Sequence, residues 1–357
     1  MATLPIMQPE TFNDLAIEVA IIRTGPIVGD LVHPYLNRRN GRDPVDHIHP
    51  AIEPVLARTL GVPLFQEQLL RMAMIIAGFN GAEADELRRA MAFKRADERM
   101  ESIAEKLRYR MSERTVDLLV QDKVVQAIGS FALYGFPESH AISFALIAYA
   151  SCWLKAHRPA EFYCGLINNQ PMGFYSVSTL LEDARRHGIR TRPVSILHSE
   201  DSTVVLDDHH LRLGLHRLKG LRQSTIDHLL EARSHHAFTS LPDFIKRVRP
   251  NKKERRLLAA AGALNGLPET PHRRAALWNA ELDHHDDLFS EEPPVAGYQR
   301  PGESARVAEE PPSPMTAPLA PMTALERLAT DYATLGHSTG RHPMALWRTG
   351  LQPASSP

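Results

Sequence analysis

Cysteine is scarce in this chain. Cys152 and Cys164 are the only two in 357 residues. They form no CxxC and have no histidine at ligand spacing. That excludes a disulfide framework and a zinc finger, and it suits reduced thiols in a cytosolic protein. An excess of either charge is lacking too: 41 Lys and Arg face 42 Asp and Glu, so net charge advertises no polyanionic partner. No apolar run is long enough to span a bilayer, and no signal peptide is recognisable. The expectation is therefore a cytoplasmic chain with no membrane contact. No internal repeat is visible beyond one pair of hairpin-like motifs. The length suits two or three domains with a sizeable core.

The even charge balance hides a local polarity. Residues 211–256 hold twelve Lys and Arg against four acids, whereas 281–310 hold nine acids and two bases. A basic stretch of that density can follow a phosphate backbone, although a solvated helical face produces similar runs. The first 170 residues or so are expected to be mainly helical. Apolar residues recur at helical spacing over Glu53–Leu60, Gln68–Ala77, Ala82–Phe93 and Asp117–Ile128, while Ile142–Lys155 is apolar nearly all round, as in a buried helix. A further helix, Val177–Arg186, ends at Gly188 and leads into an extended Ile-Arg-Thr-Arg-Pro segment. Strand-like pieces follow at Thr203–Leu206 and Leu211–Leu215, with a helix at Ser224–Ala232. From about 281 to 321 the chain turns acidic and proline-rich, the composition of a disordered linker, before a last short helix at Met322–Thr334.

The most informative string is Phe131-Ala-Leu-Tyr-Gly-Phe-Pro-Glu-Ser-His140, running on to Trp153-Leu-Lys-Ala-His157. Pro137 disfavours helix at Phe136, so Glu138 and Ser139 sit where a helix start would be capped and where free N–H groups attract anions. A hydroxyl, an imidazole and an ammonium on one helical unit could grip a phosphate chain. A capped core helix whose histidine is satisfied by backbone is the alternative. Collinear with this string are Val19-Ala-Ile-Ile-Arg-Thr-Gly-Pro-Ile27, Gly29-Asp-Leu-Val-His-Pro-Tyr-Leu-Asn-Arg-Arg39, Thr59-Leu-Gly-Val-Pro-Leu-Phe-Gln-Glu-Gln68 and Asn169-Gln-Pro-Met-Gly-Phe-Tyr175. Together they resemble the fingers of the bacterial C-family replicative DNA polymerases (the DNA polymerase III alpha type), and their wording is nearest the error-prone, damage-associated branch.

The resemblance runs from about residue 3 to 278 and resumes over 319–351. It implies a mainly α chain in which a helical polymerase fingers domain, residues 1–175 with the end of the palm–fingers junction at its start, is followed by a small helix-hairpin-helix DNA-binding region over 176–280. A disordered acidic linker over 281–321 would then lead to a short segment, 322–357, ahead of an absent oligonucleotide-binding barrel. In the hairpin region, Leu213-Gly-Leu-His-Arg-Leu-Lys-Gly-Leu221 and the helix after it resemble one motif, and Leu257-Leu-Ala-Ala-Ala-Gly-Ala-Leu264 its second member. Gly220 and Gly262 permit the tight turns, with Arg217 and Lys219 as flanking cations. Such a turn holds phosphate without reading bases. Arg222 stands where these hairpins often carry a second glycine, and it either tightens the phosphate contact or spoils the turn. Out of this setting, a Lys-Gly pair is an ordinary surface turn.

By the same resemblance, Arg23, Arg38, Arg39, Ser139, His140 and Lys155 would contact the incoming nucleotide or the template. Arginine supplies the planar bidentate contacts that a triphosphate needs. Arg88 and Arg89 are either a second such pair or a solvated face paired with Glu83, Asp85 or Glu86. The family's Arg-Pro-Gly-Pro is Arg23-Thr-Gly-Pro26 here, which relaxes the turn and keeps the cation.

Nucleotidyl transfer by the family needs Mg²⁺ held by palm carboxylates that precede the matched sequence. Asp-x-Asp occurs nowhere in this chain, and its densest acid cluster, Asp283-His-His-Asp-Asp287, opens the linker. The implied function is the part of an error-prone, translesion DNA polymerase that positions dNTP and grips primer–template DNA. No metal or catalytic acid is expected in the chain itself, and alone it should be inactive. A palm-bearing polymerase fragment or other damage-tolerance proteins would be its partners, and the gene is expected to be split, truncated or fragmentary. The alternative is a non-catalytic DNA-binding protein.

Overall fold

The computed structural model describes residues 4–22, 34–92, 97–132, 136–281, 319–340 and 342–348. Arg23, the acid cluster at 283–287, most of the expected linker (282–318) and the closing residues 349–357 lie outside them. The described residues form a mainly α structure. In chain order the helices are α1 (Leu4–Met7), α2 (Phe12–Ile21), α3 (Pro34–Arg39), α4 (Glu53–Leu56), α5 (Gln66–Ile76), α6 (Gly81–Ala92), α7 (Asp97–Glu113), α8 (Leu118–Ala132) and α9 (Glu138–His157). They continue as α10 (Pro159–Asn168), α11 (Val177–Arg186), α12 (Gln223–His235), α13 (Leu241–Val248), α14 (Lys252–Ala261), α15 (Arg273–Glu281), α16 (Ala324–Leu335) and α17 (Pro343–Trp347). The chain divides into two compact units, Met1–Cys152 and Trp153–Pro357.

In the first unit α5 carries the organising stripe. Leu69, Met72, Ala73 and Ile76 recur at i, i+3, i+4 and i+7 and are all buried. They pack with Leu87 of α6, Ile103, Leu107 and Met111 of α7, and Val124 and Ile128 of α8. Each large aliphatic side chain fully removed from water there contributes about 1.5–3 kcal/mol before entropy is counted. A second cluster gathers Met7, Ile17, Tyr35 and Phe65 against Ala141 and Ala145. The expected helix over Glu53–Leu60 is broken: α4 is only one turn, flanked by 3-10 turns at Pro50–Ile52 and Ala57–Thr59. Leu60 then reverses the chain in the left-handed region.

The expectation that Ile142–Lys155 is a buried helix fails. It lies within α9, where only Ala141 and Ala145 are buried. Phe144, Leu146, Ile147 and Tyr149 are each at least half exposed.

The second unit is built around one core that includes Tyr163, Leu180, Leu211, Leu218, Leu229, Phe244 and Leu258. The helix α11 spans the expected residues and is capped by the Ser176 hydroxyl, which accepts from the Thr179 N–H. The short strands β1 (Arg190–Arg192), β2 (Val204–Asp207) and β3 (His210–Arg212) form a sheet in the order β1-β3-β2, parallel across β1-β3 and antiparallel across β2-β3. Thr191 pairs with Leu211, and Leu211 is fully buried. Alternation therefore turns Arg190, Arg192, His210 and Arg212 to the other face. After the sheet, the chain makes a 3-10 turn at Leu215–Arg217 and enters α12 to α15. Helix α16 packs back on α14.

Candidate nucleic-acid interface

The cations expected at the nucleotide are mostly engaged within their own chain. Arg39, at the end of α3, donates from Nε to the Met7 carbonyl at 2.7 Å and from Nη1 to Asp14 at 2.8 Å and the Tyr35 hydroxyl at 3.2 Å. Nη2 reaches the Gln8 carbonyl at 3.0 Å and Asp14 at 3.3 Å. A guanidinium has five N–H donors, and five bonds use all of them. Asp14 is the other half of this clamp. Burial raises its pKa, but the Glu10 and Thr11 N–H groups and Arg39 outweigh it and leave a net fall. Arg38 donates to the carbonyls of Leu60 at 2.7 Å and Asp46 at 3.1 Å. Gly61, at φ +79°, makes that approach possible, because a Cβ there would lie 2.1 Å from the Asp46 carbonyl oxygen. Arg88 and Arg89 both pair with Asp85 on the exposed face of α6, the solvated alternative.

Ser139 and His140 stand exposed in the first turn of α9. The adjoining Glu138 N–H is taken by a Glu67 carboxylate oxygen at 2.9 Å, and the Glu138 side chain forms a two-pronged pair with Arg58. A carboxylate of the chain thus sits at a helix start that would otherwise attract an outside anion. The His140 ring lies between Phe136 and Phe144, with centroids 5.3 and 4.5 Å away. Lys155 is in the last turn of the same helix, where its ammonium meets Asp183 at 2.7 Å. Ser139 and His140 thus open α9, and Lys155 closes it.

The hairpin region is different. Gly220 has φ +101°, and a Cβ there would find only open space beside Leu257. Lys219 and Gly220 are exposed, and among the described residues the Lys219 ammonium has no hydrogen-bond or ion-pair partner. The Lys219 N–H is used, donating to the Thr334 carbonyl at 3.2 Å. Arg217 is partly buried: its Nε has no partner among the described residues, and burial lowers its pKa. Arg222 turns back on its own chain. Its Nε and Nη2 meet Glu254 at 2.9 and 3.0 Å, and its N–H donates to the same carboxylate at 3.1 Å. Gly262, at φ +76°, ends α14 and is sealed by Arg273, whose Nε would lie 2.6 Å from a Cβ there.

Three further exposed cations lie in the hairpin region. Among the described residues, Lys246 at the end of α13, Arg249 just beyond it and Lys253 in the first turn of α14 have no acidic partner. A cleft of about 560 Å³ between α12 and α13 is lined by Ser224, His228, Lys246 and Arg249. Only the basic density of 211–256 signalled them. Among the described residues no three His, Cys, Asp or Glu side chains gather as a metal site. No described helix is long and apolar enough to cross a membrane. Cys152 and Cys164 are free thiols.

Residues 1–115 match the bacterial DNA polymerase III alpha subunit finger domain, and residues 188–276 match a helix-hairpin-helix motif. The chain is 43% identical over 363 residues to an error-prone DNA polymerase of Alkalilimnicola ehrlichii, covering 99% of this chain and 33% of that protein. It is 44% identical over 360 residues to one of Pseudomonas savastanoi pv. phaseolicola, covering 98% and 33%. Similarity to one of Anaeromyxobacter sp. is 43% over 364 residues, covering 98% and 30%. The chain spans about a third of the length of the curated relatives it matches.

Proposed function

We propose that this relative of the error-prone DNA polymerases serves as the fingers and hairpin portion of such an enzyme, helping to order dNTP and gripping primer–template DNA in translesion synthesis in the cytoplasm. The observation that carries the reading is the open, positive-φ turn at Gly220, within the stretch that matches a helix-hairpin-helix, beside a Lys219 ammonium that has no partner among the described residues. Backbone N–H groups and ammonium groups arranged this way hold phosphates without reading bases. Mg²⁺ would supply the activation of the 3′-hydroxyl in the whole polymerase, and a palm-bearing polypeptide would hold it.

Among the described residues of the fingers, His140 and Ser139 are the nominated residues still open to a nucleotide or template. Arg39 would act by holding α3 on α2. The test is duplex binding by Lys219→Glu. Affinity should fall equally on unrelated sequences, and the slope of log affinity against log salt should drop by about one. Unchanged affinity and slope would remove Lys219 from the interface. A second reading, a DNA-binding protein without catalysis, is favoured by the full internal use of the Arg39 donors. Addition of a palm-bearing fragment separates the two, since only the polymerase reading gains primer extension from it.

A further inference from the structure

One group of cations stands apart from the hairpin turn. Arg192 and Arg212 are directly paired across β1 and β3, and Arg190 lies two residues along the same strand. Among the described residues none of these three guanidinia has a hydrogen-bond or ion-pair partner. Of the acids nearby, Asp207 pairs with His210 at 2.9 Å and Glu182 with Arg185 and Arg186, while the exposed Asp208 of the β2–β3 turn pairs with none of the three guanidinia. Other arginines of this unit, such as Arg222, Arg247, Arg256 and Arg273, each hold a carboxylate. Like charges directly opposite one another in a sheet are destabilising. Burial and the charge of Arg192 both push the Arg212 pKa down, as uncompensated crowding requires. Beside β1 runs a polar cleft of about 610 Å³, to which Ser338, Thr339 and His342 also contribute.

We propose that the outer face of this sheet is a second contact for the backbone of duplex DNA, with Arg190, Arg192 and Arg212 each holding a phosphate. This rests on the DNA-binding reading above and adds a surface to it. The positions spread by about 6.7 Å along β1 and about 5 Å across to β3, a spacing from which the three long side chains can reach successive phosphates. Among the strand residues of that face only His210 carries a ring, so the three arginines contact a duplex through its backbone. The repulsion among the three guanidinia is relieved when anions lie over them. Arg212 is seven residues before Lys219, so one segment of chain serves both contacts.

The experiment is duplex binding by the whole chain across a salt series, for wild type, Lys219→Glu, Arg190→Ser/Arg192→Ser and Arg192→Glu. The double variant should lose affinity about tenfold or more, equally on unrelated duplexes, with the salt slope lower by about two. Arg192→Glu places a carboxylate opposite Arg212. Its thermal midpoint should match or exceed wild type while DNA affinity falls, whereas a purely structural role would lower the midpoint. The inference is overturned if both arginine variants keep wild-type affinity and slope while Lys219→Glu weakens binding. A wild-type chain that binds no duplex overturns this and the parent reading together. Loss in the arginine variants but not in Lys219→Glu removes the hairpin assignment and leaves the sheet face standing.

Discussion

Glu254 is the most heavily used acid in the hairpin region, and its replacement tests whether α12 and α14 are held by one charge. Its side chain is 2% exposed, and it accepts from the Arg222 Nε, Nη2 and N–H, the Thr225 hydroxyl at 2.9 Å and the Asn251 N–H at 3.0 Å. Burial raises its pKa, but these donors outweigh burial and bring it to about 2, from an ordinary 4.5. A carboxyl group depressed in the folded state adds stability above its unfolded pKa and loses it as pH falls through the folded one. Here that window runs from 4.5 down to about 2. The full shift would correspond to about 3 kcal/mol, and screening of the 58%-exposed Arg222 reduces this to about 2 kcal/mol.

Glu254→Ala should cost about 3 kcal/mol, because donors at Thr225, Asn251 and Arg222 lose their acceptor. Glu254→Gln should cost about 2 kcal/mol, with the wild-type advantage shrinking to roughly two fifths of its neutral value by pH 3. Urea unfolding followed through Trp278, on the helix that packs against α14, reports the right unit. A Glu254→Ala chain within about 0.5 kcal/mol of wild type, or a Gln variant whose deficit does not change from pH 7 to pH 3, would refute the clamp.

Arg39→Ala should destabilise the first unit by about 2 kcal/mol, and Arg39→Lys should recover little because an ammonium cannot reproduce a five-donor fork; chemical unfolding at neutral pH measures both. His337 is fully buried, donates Nδ1–H to the Leu335 carbonyl, and has a pKa pulled down to about 4 by burial and the nearby Arg217 charge. The native state therefore loses stability as pH falls from 6.5 toward 4, by about 2 kcal/mol at pH 5, and His337→Leu should remove that loss in paired unfolding curves at pH 7 and pH 5. The purified chain alone should bind DNA yet extend no primer with Mg²⁺ or Mn²⁺; template-dependent incorporation abolished by Arg39→Ala would show that catalytic acids lie within it.

Local signals were the legible ones. Helix α11 could be read because its cap, its stripe of Val177, Leu180, Leu181 and Ala184, and its stop at Gly188 all lie within a dozen residues. Lys219 and Gly220 could be read for the same reason: a positive-φ turn is a property of the turn itself. Helix α7 was passed over although Ile103, Leu107 and Met111 follow helical spacing, because its many charged residues masked the stripe. What stayed hidden depends on distant partners. Apart from Tyr35, one turn back, the Arg39 contacts lie 25 to 32 residues away, and Glu254 lies 32 residues from Arg222. No pattern around an arginine tells whether its fork faces water or a carboxylate so far along the chain. The strand β1 was legible as extended backbone, but its parallel partner arrives twenty residues later, and pairing created the crowded arginine face.

The uncovered side of α9 has a practical meaning at the bench. A row of Phe144, Leu146, Ile147 and Tyr149 in water behaves as a surfactant does. Purified at high concentration, the chain should self-associate, light up an environment-sensitive dye such as ANS, and elute late from a phenyl resin. Mild nonionic detergent should reverse all three. Lysine at Leu146 and Ile147, which are about 60% exposed, should yield a better-behaved preparation for every DNA-binding measurement above.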